Sequence, residues 1–124
     1  MRNFFTKACS DARGTTAVEF AIVSPVFIAL VVGMMYTALC LFLVGSLHFA
    51  VEDGARCASV RTTVCSDATT TVAYTQNHYF GPSSPTFTFA TAACGKSVSA
   101  SINYVAHLGL TQFTIPVSAT ACFP

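Results

Sequence analysis

The chain has 124 residues, of which 53% are hydrophobic and only 9% are charged, and its formal net charge is +1 at pH 7. A protein that binds nucleic acid usually carries a cluster of Lys and Arg, and no such cluster follows Arg61. We therefore expect no nucleic-acid partner.

The first 14 residues form a short basic segment, in which Arg2, Lys7 and Arg13 outweigh Asp11. The positive-inside rule keeps such a segment in the cytoplasm, so we expect the C-terminal part of the chain outside it. A secretory signal peptide is an alternative, but its apolar region spans only about 7 to 15 residues. A second alternative is that the basic residues only set the orientation of the helix in the membrane and the segment is never cleaved.

An apolar run from Phe20 to Val51 follows, and it contains no Asp, Glu, Lys or Arg. As a continuous helix it would extend about 48 Å at 1.5 Å per residue, whereas a hydrocarbon core is about 30 Å thick. We predict one membrane-spanning helix over residues 15–46, in contact with the lipid bilayer. The excess length predicts a protruding stalk helix over residues 47–63.

Two polar or helix-disturbing positions lie early in this helix. Glu19 would cost about 2.5 to 3.5 kcal/mol at the centre of a membrane helix and less near the interface, so it needs a partner. One alternative is structural, because Thr16 to Glu19 fits a capping box. Pro25 removes a backbone donor and favours a kink, although proline is also common in membrane helices.

Residues 64–124 form the predicted extracytoplasmic domain. After the break at Gly81–Pro85, alternating apolar residues favour an antiparallel sheet with one buried face. Pro116 suits an edge position for the last strand. The candidate strands are Thr86 to Ala92, Ser97 to Ala106 and Gln112 to Ala121.

These elements predict an α+β membrane protein. Its long N-terminal helix would cross the membrane, continue as a stalk and pack against a small antiparallel sheet. Such a domain is near the lower size limit for unaided folding, which favours disulfide staples.

Four of the six cysteines lie beyond the membrane run. In an oxidising exterior they predict two disulfides, for which three pairings are possible. The strand order favours Cys94 with Cys122, which leaves Cys57 with Cys65. A zinc site is the rival interpretation, but the spacing Cys-x2-Cys does not occur, and we expect no metal.

The remaining reactive side chains show no catalytic spacing. His48, His78 and His107 are scattered, and Asp67 is the only acidic residue after Asp53. No nucleophile–histidine or paired-carboxylate arrangement can be proposed from them. We therefore expect no enzymatic activity, no cofactor and no small-molecule substrate.

The sequence Arg13-Gly14-Thr15-Thr16-Ala17-Val18-Glu19-Phe20-Ala21-Ile22-Val23-Ser24-Pro25 resembles the start of TadE-like pseudopilins of the Tad/Flp pilus system. These proteins belong to the type IV pilin superfamily. Gly33 and Asp53-Gly54-Ala55-Arg56 resemble later landmarks of the family. Tyr36 departs from the pattern, because many relatives carry an acidic residue there.

The resemblance implies a class III signal sequence that a prepilin peptidase cuts between Gly14 and Thr15. Glu19 would then be the fifth residue of the mature chain, and an ion pair with an N-terminal ammonium would set the register between subunits. By the same resemblance, Glu19, Phe20 and Pro25 are the candidate assembly residues.

The implied function is that of a minor pseudopilin in pilus assembly or initiation, and so in adhesion or surface attachment. The expected location is the bacterial inner membrane, with a cytoplasmic N-terminus, a periplasmic domain and possible incorporation into the pilus. Expected partners are the prepilin peptidase, other pilin or pseudopilin subunits and the Tad inner-membrane assembly platform. The alternative is an unprocessed single-span envelope protein whose exterior domain is a protein-binding module.

Overall fold

The computed structural model describes residues 12–108 and 111–124. Most of the predicted leader, residues 1–11, lies outside the described residues. The chain divides into two compact units, Met1–Leu39 and Cys40–Pro124. The elements are helix α1 (Ala12–Val60), helix α2 (Ala68–Asn77) and strands β1 (Thr86–Ala92), β2 (Gly95–Leu108) and β3 (Thr111–Phe123).

The described part of the first unit is helical and apolar. Its side chains from Val18 to Met35 are largely exposed, and the helix continues through Pro25. The Thr37 hydroxyl donates a hydrogen bond to the Gly33 carbonyl at 2.9 Å, which satisfies that polar group within the helix. Among the described residues, one helix, Gly14–Val60, is long and apolar enough to cross a membrane.

The second unit has a core between one face of α1 and one face of the sheet. The buried helix side chains recur at the three- and four-residue spacing of a helical face, and complete burial of a Leu or Val contributes about 1.5 to 3 kcal/mol. They are Leu43, Leu47, Ala50, Val51 and Ala55. The buried sheet side chains are Phe87, Val98, Ala100, Ile102 and Ala119.

The sheet has the order β1-β2-β3, and both pairs are antiparallel. The first strand has its predicted bounds, whereas β2 and β3 are longer than predicted at both ends. Their ladder runs from Lys96 opposite Phe123 to Leu108 opposite Thr111. The pairing therefore continues almost to the short connections at the two ends of β2. Pro116 lies in an edge strand, as predicted.

From Thr69-Thr70-Thr71 onward the sequence predicts a connecting stretch with room for a short helix, and the structure has helix α2 there. Its N-terminus is a capping box: the Thr70 amide donates to the Asp67 carboxylate at 2.9 Å, and the Asp67 amide donates to the Thr70 hydroxyl at 3.1 Å. The hydrogen bond from the Thr70 amide lowers the pKa of Asp67. Thr71 and Thr75 are fully buried, and each hydroxyl is satisfied there because it donates to the carbonyl four residues earlier.

Two disulfides close the second unit. Cys57 at the end of α1 is bonded to Cys65, and Cys94 in the β1–β2 turn is bonded to Cys122 near the end of β3. This is the pairing that the strand order favoured. The α+β fold with a long apolar helix, a three-stranded antiparallel sheet and two disulfides is thus confirmed.

Candidate functional site

The predicted cleavage residues lie in the described start of α1. Gly14 is exposed, and a Cβ added there would meet no atom within 4 Å outside its own turn. Thr15 and Glu19 are four residues apart in a helix, so their side chains lie on the same face. Cleavage between Gly14 and Thr15 and an assembly role for Glu19 stay predictions.

The capping role considered for Thr16 depends on cleavage. In the described chain α1 begins at Ala12, so Thr16 lies inside the helix rather than at its N-terminus. Removal of residues 1–14 would make Thr15 the first residue and return Thr16 to the helix end. The capping box with Glu19 is therefore a property expected of the processed chain.

The other two candidate assembly residues face outward in the first unit. The Phe20 side chain is 74% exposed, and Pro25 lies within continuous helix. A large apolar side chain with this exposure is suited to lipid or to an apolar neighbour. The structure thus places Phe20 on a surface that a lipid or another helix can cover.

A second group of functional candidates lies near the C-terminal end of α1, where Asp53 and Gly54 contact α2. The Tyr74 hydroxyl donates a hydrogen bond to an Asp53 carboxylate oxygen at 2.8 Å. A Cβ added at Gly54 would collide with the Thr75 hydroxyl and lie 3.2 Å from the Thr75 Cβ. These two adjacent residues therefore fix where α2 packs against α1.

Polar side chains extend this contact into a cluster formed by Asp53, Arg61, Tyr74 and His78. Arg61 donates to the Tyr74 hydroxyl at 3.1 Å, and the His78 ring stacks on the Tyr74 ring with centroids 4.1 Å apart. His78 Nε2 is 3.9 Å from an Asp53 oxygen. The hydrogen bond to Asp53 is the main reason why the pKa of Tyr74 is raised.

Sequence reasoning did not identify this cluster. It assigned His78 no partner and treated the Asp53 segment only as a family landmark. The available signal was Gly54, since glycine inside a helical pattern often marks a close approach of another element. Among the described residues, no three His, Cys, Asp or Glu side chains are grouped as metal ligands. We interpret the cluster as a structural attachment of α2.

A groove of about 500 Å³ lies between α1 and the end of β3, and Asp53 is one of the residues that line it. Phe49, Glu52 and Arg56 line it from the helix, and residues 120–123 line it from the strand. The Ser59 hydroxyl donates to the Phe123 carbonyl at 3.0 Å and attaches the strand end to the helix. Arg56 therefore lines a groove beside the strand end, and Asp53 is in contact with both this groove and α2.

Comparison with known proteins gives one family. The model of the TadE-like protein family matches residues 14–56, about a third of the chain. No curated protein and no solved structure matches the chain. The matched segment begins at Gly14, includes Glu19 and ends just after the Asp53–Gly54 contact. A segment of this kind indicates a protein associated with the Tad pilus system, and over residues 14–56 the chain is similar to the TadE-like family.

Proposed function

We propose that the protein is a minor pseudopilin of the Tad/Flp pilus, processed by a prepilin peptidase and active in pilus assembly or initiation. The observation that carries this proposal is the TadE-like segment, which begins at Gly14 and continues into an exposed apolar helix. A membrane-inserted precursor needs such a helix, and so does a subunit that packs against other helices.

Glu19 has a defined part in this proposal. Cleavage after Gly14 creates an ammonium group on Thr15, four residues before the Glu19 carboxylate. Opposite charges attract more strongly in an apolar environment than in water, so each carboxylate in a membrane or helix bundle favours a nearby ammonium. An ammonium from a neighbouring subunit would fix the axial register between two helices.

The second unit supports a minor rather than a major role. It adds a three-stranded sheet, a second helix and two disulfides to the end of α1. A domain of this size on every subunit would be difficult to pack along a thin fibre, whereas a few copies at the tip or base are easily accommodated. We infer that this unit binds other pilus components and performs no enzymatic reaction.

The proposed location is the bacterial inner membrane, with the N-terminus in the cytoplasm and the second unit in the periplasm. The two disulfides support the periplasmic side, because disulfides form and persist in oxidising compartments. The proposed partners are the prepilin peptidase, other pilin-type subunits and the Tad assembly platform.

The experiment that tests processing is the intact mass of the protein purified from native membranes in cells that contain a working prepilin peptidase. The expected mature chain begins at Thr15. A peptidase-deficient strain is the control and should yield the full precursor. A full-length chain in both strains would refute the proposal and favour the single-span envelope protein with a binding domain.

A further inference from the structure

Beyond the end of β1, strands β2 and β3 continue as a two-stranded ribbon. Thr86, the first residue of β1, pairs with Ser101, whereas the β2–β3 ladder continues to Leu108 opposite Thr111. The ribbon therefore comprises Ile102–Leu108 and Thr111–Val117, about 23 Å of strand at about 3.3 Å per residue. An isolated two-stranded hairpin is only marginally stable in water, so this length needs support.

The direction of the ribbon follows from contacts within the second unit. The Phe80 amide, shortly before β1, donates to the Ser46 hydroxyl at 2.8 Å. Further along, Phe89 packs against the buried cluster that contains Cys57 and Ala58. Strand β1 therefore runs in the same direction as α1. Because β2 is antiparallel to β1, the ribbon extends toward the end of this unit at which α1 enters it.

Several of the exposed side chains at that end are large and apolar. On α1, Leu41 is 69% exposed and Phe42 is also exposed. On the ribbon, Phe113 is 55% exposed, and Val105 and Ile115 are exposed as well. These positions surround one end of the unit instead of forming a patch on a single face, because Val105 and Phe113 project from opposite faces of the ribbon.

Charge distribution agrees with this pattern. The sequence contains no Asp, Glu, Lys or Arg after Lys96, so neither β3 nor the ribbon part of β2 carries a formal charge. An uncharged ribbon leaves bulk water without the free-energy cost of desolvating a charged side chain. Each charged side chain at the centre of a membrane helix would cost about 2.5 to 3.5 kcal/mol.

We propose that the β2–β3 ribbon enters the interfacial layer of the membrane that α1 crosses, with Val105, Phe113 and Ile115 in contact with lipid. A lipid layer fits the arrangement because it surrounds the emerging helix and can reach exposed side chains on both faces of the ribbon, while Ile102 and Ala106 are buried within the protein. Leu41 and Phe42 also lie on the helix that is long and apolar enough to span the bilayer. The inference depends on α1 crossing a membrane and not on cleavage after Gly14.

The depth of the ribbon is limited by its edge. Strand β3 is an edge strand of the described sheet, so its outer N–H and C=O groups need water or lipid headgroups as partners. Such groups cannot remain unsatisfied in the hydrocarbon core. The exposed polar residues Asn103, Gln112 and Thr114 likewise suit the headgroup region. The ribbon is therefore interfacial and does not span the bilayer.

The test uses tryptophan fluorescence, because the chain contains no tryptophan. Phe113→Trp places one reporter on the ribbon, and Phe123→Trp places a matched reporter at the opposite end of the same strand. Each full-length variant is reconstituted into vesicles of phosphatidylethanolamine and phosphatidylglycerol, with or without brominated acyl chains. We expect the fluorescence of Phe113→Trp to be blue-shifted and to be mostly quenched by brominated lipid. The fluorescence of Phe123→Trp should not be quenched.

Two results would overturn the proposal. Equal, weak quenching of both reporters would place the ribbon in water. Blue-shifted emission that resists brominated lipid and varies with the protein-to-lipid ratio would assign the surface to contact between copies of the chain. Each variant is taken as folded when its four disulfide cysteines are alkylated only after reduction. Ile115→Trp, on the same ribbon face, replaces Phe113→Trp if that variant fails this check.

Discussion

At the residue scale, Glu19 has the clearest link between position and proposed function. It stands in the exposed part of α1, immediately before the long run without Asp, Glu, Lys or Arg. Its carboxylate is unfavourable in lipid unless a positive group lies nearby. The amide of Gln keeps nearly the same shape but removes the charge, so it separates the electrostatic role from packing.

We predict that Glu19→Gln leaves membrane insertion and cleavage intact but reduces the number of pili per cell, because the ammonium of the mature N-terminus loses its partner. Pilus counts by electron microscopy and mature mass from the same cells measure the two steps. Glu52→Gln changes an exposed acid beyond the apolar run of the same helix and serves as the control. An unchanged pilus count for Glu19→Gln would contradict the proposed role.

At the element scale, the packing of α2 on α1 depends on a glycine. Thr75 is fully buried and its hydroxyl donates to the Thr71 carbonyl at 2.8 Å, so it cannot move away from Gly54 without losing that bond. The side chain of any other residue at position 54 would displace α2. This gives a physical reason for glycine at one position of the TadE-like segment.

We therefore predict that Gly54→Ala destabilises the second unit. Overpacking usually costs about 1 to 3 kcal/mol, which exceeds the gain in helix propensity of about 1 kcal/mol or less. Gly45→Ala is the matched control, because an added Cβ there meets no atom within 4 Å, and it should be neutral or slightly stabilising.

Urea unfolding of the full chain in detergent, followed by the near-ultraviolet circular dichroism of the tyrosines, measures both variants. Adding Thr75→Ala to Gly54→Ala should recover part of the lost stability, since it removes the colliding hydroxyl. Equal stability of Gly54→Ala and Gly45→Ala would show that α2 does not depend on this close approach.

The elements differ in how far local sequence determines them. Alternation along β1 and the turn residues around it predicted its bounds, because a strand with one buried face leaves a period of two in the sequence. Helix α2 was not predicted as a defined element. Its threonine-rich sequence has weak helix propensity, and burial of Thr71 and Thr75 against the rest of the unit overrides that preference.

At the scale of the whole molecule, two disulfides connect distant parts of the second unit. Cys57 and Cys65 are separated by 8 residues, and Cys94 and Cys122 by 28. In the chain-entropy model, a longer closed loop restricts the unfolded chain more strongly. The second disulfide should therefore contribute more to stability, although both lie in one small domain.

We predict losses of about 2.5 kcal/mol for the double substitution Cys57→Ala/Cys65→Ala and about 3.5 kcal/mol for Cys94→Ala/Cys122→Ala in the free energy of unfolding. The same urea measurement on the full chain compares them with the unsubstituted protein. A larger loss for the shorter loop would indicate that packing around the buried Cys57 and Cys65 outweighs chain entropy.

By itself, the sequence determined the long apolar helix, the three antiparallel strands, the edge position of Pro116 and the resemblance around Gly14 and Glu19. Each of these follows from a local pattern: length, alternation, a residue without an amide hydrogen, or a short motif. The sequence also favoured the disulfide pairing, since strand order brings Cys94 near Cys122.

Only the tertiary structure decided that Asp53 accepts a hydrogen bond from Tyr74, that Gly54 receives Thr75 and that the β2–β3 ribbon extends past β1. These contacts join residues about 20 positions apart, and no periodic pattern marks which polar groups will meet. Their formation depends on the packing angle of two helices and on the register of a sheet, which are set by the core as a whole.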